Sequence, residues 1–76
     1  MDIERLSNII EDVCGADPGE ITVHTRFSDL GIDSLDLAQI IFNVENELEI
    51  EIDPDVLEEI DTVGDALDAI LDAQKG

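Results

Sequence analysis

Few side chains in this 76-residue sequence could make or break a covalent bond. Cys14 is the only cysteine, so no intramolecular disulfide and no cysteine-rich metal site can form. It falls in the last turn of an amphipathic segment and reads as a small packed or half-exposed side chain. His24, the only histidine, has no second histidine or reactive cysteine near it in sequence. It reads as a loop residue rather than a base. Carboxylates are abundant, yet no stretch has the Asp-x-Asp-x-Asp-Gly spacing with a later Glu that a calcium loop requires. Glu45, Glu47, Glu49 and Glu51 suggest at most weak, stabilising cation binding, and no metal site is expected. No nucleophile, base and orienting group occur together, so an enzyme is the least expected class. Ser34 is the remaining candidate. It follows Asp33 and opens an apolar-periodic segment, which puts it at the first helical position, at the end of a loop. A phosphodiester on its hydroxyl would face unpaired backbone N–H groups and the positive end of the helix dipole. A serine there can also do no more than begin a helix. Its neighbours have to decide.

The elements that would hold Ser34 are legible from periodicity. Ile3, Leu6, Ile10 and Val13 are spaced three and four apart and predict a first helix. Asp2 suits its cap, and Gly15 the left-handed residue past its end. Residues 15–32 form a long connection. Asp17-Pro18-Gly19 marks a turn, and Ile21, Val23, Phe27, Leu30 and Ile32 are its expected apolar anchors. The second helix is predicted from Ser34 to Glu47 or Leu48, with Asp33 as N-cap and Asp36 favoured by the dipole in the first turn. Glu49-Ile50-Glu51-Ile52 alternates as a strand does, but it has no partner strand and reads as an extended link. Asp53-Pro54 starts a short helical turn through Val56, Leu57 and Ile60, with proline at a first helical position. Thr62 caps a last helix, with Asp65 as the acidic partner in a capping box. Val63, Ala66, Leu67, Ile70 and Leu71 are its expected buried face. The fold class is all-α: a small four-helix bundle of three main helices and one short one, in a single domain over residues 1–76.

The second helix carries more apolar residues than one core stripe needs. Leu37, Ile41, Val44 and Leu48 gather on one side, with Ile40 at the edge, while Leu35, Ala38 and Phe42 form a second stripe on another. Three helices cannot easily cover both. An uncovered stripe rimmed by Asp36, Glu45 and Glu47 reads as a docking surface.

Composition limits the partners. There are 21 acidic residues against three basic ones, Arg5, Arg26 and Lys75, for a formal net charge of -18. Nucleic acid and anionic lipid surfaces would be repelled, whereas basic patches on proteins would be attracted and steered. Phe27 and Phe42 are the only aromatics, so stacking platforms are lacking. The opening Met1-Asp2-Ile3-Glu4 has neither the basic region nor the apolar run of a signal peptide. No apolar run approaches a membrane span. A cytoplasmic monomer is expected. One reading at this level is an unmodified acidic helical adaptor that docks basic partners.

The residues around Ser34 favour another reading. Leu30-Gly31-Ile32-Asp33-Ser34-Leu35 resembles the attachment motif of acyl carrier proteins. The resemblance extends over nearly the whole chain: its length and acidity, the amphipathic first helix, the long loop with Phe27-Ser28-Asp29-Leu30-Gly31, and Thr62-Val63 at the last helix. It implies a carrier with no catalytic activity, bearing covalent 4'-phosphopantetheine on Ser34. A separate phosphopantetheinyl transferase would install the arm from coenzyme A, using magnesium. Acyl groups would ride as thioesters on the arm's thiol and not on Cys14. The recognition surface implied by position is Asp33, Leu35, Asp36, Ala38, Phe42, Glu45 and Glu47, meeting basic patches on acyl-transfer, synthase and other lipid or polyketide enzymes. A resting acyl chain would tuck among side chains such as Ile40, Ile41, Val44, Ile60 and Ile70. Gln39 stands where a carboxylate is common, Asp53-Pro54 shifts the usual proline by one residue, and Val56 and Leu57 make the short helix unusually apolar. These departures set fatty acid synthesis beside a dedicated polyketide or lipid-modifying pathway as destinations. A peptidyl carrier usually has Gly-Gly-His or Gly-Gly-Asp before the serine and is less acidic.

Overall fold

A computed structural model of the chain describes residues 2–75. Helix α1 spans Ile3–Cys14. The Asp2 side chain accepts from the Arg5 amide at 2.9 Å, and Gly15, at φ 75°, donates to the Glu11 carbonyl to end the helix. Leu6 and Ile10 are fully buried, and Ile9 joins them to widen the stripe. Ser7 is buried beside them, and its hydroxyl donates to the Ile3 carbonyl at 2.7 Å, which removes the cost of an unpaired polar group.

The long connection is ordered by two short 3-10 turns, Pro18–Glu20 and Phe27–Leu30. Asp17 caps the first through the Gly19 amide. Gly31 ends the second at φ 73°, a backbone conformation that favours glycine. Ile21, Phe27 and Ile32 are buried as anchors, and Leu30 is half-buried. Val23 is not an anchor: its side chain is exposed, and its carbonyl does the holding instead, accepting from the Gly64 amide at 2.9 Å.

Helix α2, Ser34–Leu48, closes on Glu49 at φ 56°. The link that follows differs from the expected one at its start: Glu49 is left-handed rather than extended, and the Ile50 amide still donates to the Glu45 carbonyl at 3.1 Å; among the described residues it pairs with no strand. Helix α3, Pro54–Leu57, is capped by Asp53, which accepts from the Asp55 amide at 3.0 Å. It stops short of the expected turn through Ile60, which is buried just beyond it. Helix α4 runs Val63–Lys75. Val63, Ala66 and Ile70 are fully buried and Leu67 is half-buried, but Leu71 is 39% exposed. One residue on from Ile70 is about 100° around the helix, which carries Leu71 off the core face and into a groove between α3 and α4.

Leu6, Ile10, Ile40, Val44, Val63 and Ile70 form the fully buried centre, an aliphatic core in which Phe27 is the one buried aromatic. Among the described residues no strand is present and no helix is long and apolar enough to cross a membrane.

Candidate functional site

The start of α2 gathers the chemistry. The Asp33 carboxylate accepts from the Asp36 amide at 2.9 Å, and the Asp33 carbonyl accepts from the Leu37 amide at 2.9 Å. The two amides between them, of Ser34 and Leu35, have no acceptor among the described residues. They are two of the four donors every helix start leaves over, and they sit where the dipole is positive. The Ser34 side chain is exposed and its hydroxyl makes no hydrogen bond among the described residues. An oxyanion attached there would find both free donors within its own turn.

A cleft of about 270 Å³ opens beside Ser34. Its apolar walls are Phe27, Ile32 and Leu37 on one side and Leu57 and Ile60 on the other. Leu57, one of the two unusual apolar residues of α3, therefore faces this cleft. Of the five residues expected around an acyl chain, only Ile60 lines it. Ile40, Ile41, Val44 and Ile70 lie deeper, in the closed core. The cleft is slightly smaller than the usual small-molecule pocket of about 300–1,000 Å³, and reaching the other four would require the core to part.

From Ser34 an uncovered face runs along α2. Leu35 is 79% and Phe42 57% exposed, and Ala38 between them is also exposed. The second stripe is thus bare. Asp33 is exposed and Asp36 half-buried at its lower end. Gln39 donates to Asn43 at 3.2 Å along one edge, which makes that edge neutral. The remaining two candidates are engaged elsewhere. The Glu47 carboxylate accepts from the Arg5 guanidinium at 2.6 Å and ties α2 to α1. That hydrogen bond and charge hold the Arg5 guanidinium above its ordinary value. Glu45 is half-buried and accepts from the Ile52 amide at 2.8 Å, fixing the link to α3. Asp33, Ser34, Leu35, Ala38 and Phe42 are thus exposed and Asp36 half-exposed along α2, while Glu45 and Glu47 also brace the bundle through the Ile52 amide and Arg5.

Cys14 lies near enough to the start of α2 to feel its acids. Burial first, then the charges of Asp36 and Asp33, push its thiol upward. It stays protonated at neutral pH and is a poor nucleophile. Arg26 pairs with Asp61 at 3.7 Å.

One feature near the site escapes sequence reasoning. The strap before Phe27 pairs backbone to backbone with the start of α4: Phe27 donates to Asp61 at 3.0 Å, and Val63 to Thr25 at 2.8 Å. Gly64 permits this, because a Cβ there would meet the Val23 carbonyl oxygen at 2.8 Å. The glycine at the second position of a capped helix is the one sequence signal that points to it.

The sequence pattern of the phosphopantetheine attachment-site family matches residues 4–70. Solved structures agree in fold. An acyl carrier protein from Thermotoga maritima superposes with a TM-score of 0.87 at 23% identity, over 96% of this chain and 86% of that one. The hexanoyl acyl carrier protein of the actinorhodin polyketide synthase in Streptomyces coelicolor gives 0.77 at 29% identity, over 97% and 87%. The apo doublet acyl carrier protein from prodigiosin biosynthesis gives 0.76 at 26%, over 92% of this chain and 35% of that longer one.

Proposed function

Because this chain belongs to the phosphopantetheine attachment-site family, we propose that it is an acyl carrier protein, that Ser34 bears its arm and that it carries acyl intermediates for fatty acid or polyketide-type synthesis in the cytoplasm. The family's members are substrates of other enzymes and hold phosphopantetheine covalently on serine. The observation that carries the choice of serine is the exposed Ser34 hydroxyl beside two unpartnered amides. Ser7 is 3% exposed with its hydroxyl committed to Ile3. Ser28 is exposed but sits within a 3-10 turn, with no helix of full length beginning at it.

The residues present fit the group. The Ser34 and Leu35 amides would hold the phosphodiester, and the cleft walled by Leu37, Leu57 and Ile60 would take the apolar part of a cargo. When bound, the arm supplies a terminal thiol for thioester formation. The chain's own contribution is placement. Asp33 fixes the helix start, and the bundle presents Ser34 at one end without a base to activate it. The Leu35–Ala38–Phe42 face offers apolar contact, with Asp33 and Asp36 beside it for basic residues of the transferase and of synthase enzymes.

Intact mass after incubation with coenzyme A, magnesium and a broad-specificity phosphopantetheinyl transferase tests the assignment. The parent chain gains one phosphopantetheine and Ser34→Ala gains none. A gain in the variant moves the site elsewhere, and no gain in a folded, unmodified parent overturns the reading.

A further inference from the structure

We propose that the groove between α3 and α4 is a second docking site, for a basic amphipathic protein segment, separate from the exposed face of α2. The groove encloses about 500 Å³, and no residue of α2 lines it. Its floor is apolar: Val56 and Ile60 on the α3 side, Ala69 and Leu71 on α4. Leu71, one residue on from the fully buried Ile70, is 39% exposed and turned toward this groove. Val56 and Leu57, adjacent on α3, part company: Leu57 faces the cleft at Ser34 and Val56 faces this groove. The apolar excess of α3 thus serves two sides, and the attachment site accounts for only one of them.

The rim specifies the occupant. Glu59, Asp68 and Asp72 line the groove and have no ion-pair partner among the described residues. Asp68 and Asp72 are four apart on α4, a like-charge spacing that destabilises a helix. Asp65 also lines it, but its carboxylate is already held by the Asp61 and Thr62 amides at 3.1 Å. Lys75 is the only cation there. Free acids above an apolar floor repel fatty acid carboxylates and anionic lipids and attract Lys or Arg on either side of an apolar side chain. The α4 lining spans residues 65 to 75, about 15 Å at 1.5 Å per residue. That length accommodates an amphipathic helix presenting apolar side chains one turn apart.

The test is an amide-shift titration of the ¹⁵N-labelled full chain with a designed amphipathic leucine–lysine helix, beside a peptide with its leucines changed to serine. It is run on the parent and on Ser34→Ala, so a failure of attachment at Ser34 and a failure of this groove are read separately. The expected result is saturable shifts at Val56, Glu59, Ala69, Leu71 and Asp72 with the leucine peptide. Leu71→Glu weakens that set about tenfold, as loss of an apolar anchor does, and leaves shifts along α2 unchanged. Val56→Ser does the same without adding charge, and Leu35→Ser spares the set. Shifts confined to the Leu35–Phe42 face, equal shifts with the serine peptide, or indifference to both Leu71→Glu and Val56→Ser would overturn the proposal.

Discussion

Helices α2 and α4 begin with the same local chemistry. Asp33 takes the Asp36 amide at 2.9 Å, and Thr62 takes the Asp65 amide at 3.1 Å. The cap carbonyl of each then accepts from the fourth helical residue, Leu37 or Ala66. The first two helical amides differ. In α4 those of Val63 and Gly64 are taken by the Thr25 and Val23 carbonyls of the strap, so all four leftover donors of that helix are used. In α2 those of Ser34 and Leu35 have no acceptor among the described residues. A cap residue therefore does not make an anion site. The approach of a second segment decides whether the helix start is closed, as in α4, or open, as in α2.

Amide hydrogen exchange tests this contrast with the largest expected effect. Val63 and Gly64 should exchange only when the strap lifts. In a domain this small that opening is worth up to about 3–5 kcal/mol, a slowing of up to about 100- to several-thousand-fold. Ser34 and Leu35 should exchange at nearly the rate of an unstructured chain. Equal protection at the two starts would mean that α2 is covered and would remove the main support for an anion there.

Closing α4 depends on Gly64. In Gly64→Ala the new Cβ would press on the Val23 carbonyl oxygen at 2.8 Å. The strap must shift, and stability should fall by about 1–3 kcal/mol, the usual cost of overpacking, despite the better helix propensity of alanine. Thermal or urea unfolding reads the change. A gain in stability would mean that the strap contact is slack.

The caps themselves should be nearly equivalent in energy and unlike in function. Asp33→Ala and Thr62→Ala should each cost about 1 kcal/mol. Only Asp33→Ala should also slow modification by the transferase under conditions where both variants are folded, because it loosens the turn that holds Ser34. Equal rates of modification would show that the geometry of the α2 start does not matter to the enzyme.

What was legible in the sequence follows the same division between local and distant. Asp2, Gly15, Asp33, Asp53-Pro54 and the Thr62–Asp65 box could all be read because each acts on amides or carbonyls within a few residues. The bare stripe of Leu35, Ala38 and Phe42 was legible because helical period alone separates it from the core stripe. The strap was not, because backbone pairing between residues 23–27 and 61–64 leaves no side-chain pattern and inverts the role of Val23. Glu45 and Glu47 read as free acids because nothing local identifies their partners. The Ile52 amide is reached only by the turn at Glu49, and Arg5 lies 42 residues from Glu47 in a chain with 21 acids to choose from. Leu71 was assigned to the core because a stripe read from sequence has no measurable width.

The smallest expected effect separates the α4 cap from the charge of the whole chain. The Thr62 and Asp61 amides hold the Asp65 carboxyl below its ordinary value, against a smaller opposing effect of burial. A group depressed in the folded state stabilises fully above its unfolded value, near 3.9 for aspartate, and loses that contribution as pH falls through the folded value. Acidification from neutrality also protonates other carboxylates and relieves the repulsion of a chain at -18. The melting temperature of the parent should therefore rise at first and fall only in stronger acid, which on its own says little about the cap. The difference between parent and Asp65→Ala isolates it. That difference should stay constant from neutral pH to about pH 5 and close below about pH 4, in the direction of linkage. Because Asp65 is exposed, solvent screening keeps the effect small. A difference that grows on acidification would mean that Asp65 is destabilised by its neighbours and that the amides of Asp61 and Thr62 do not hold its charge.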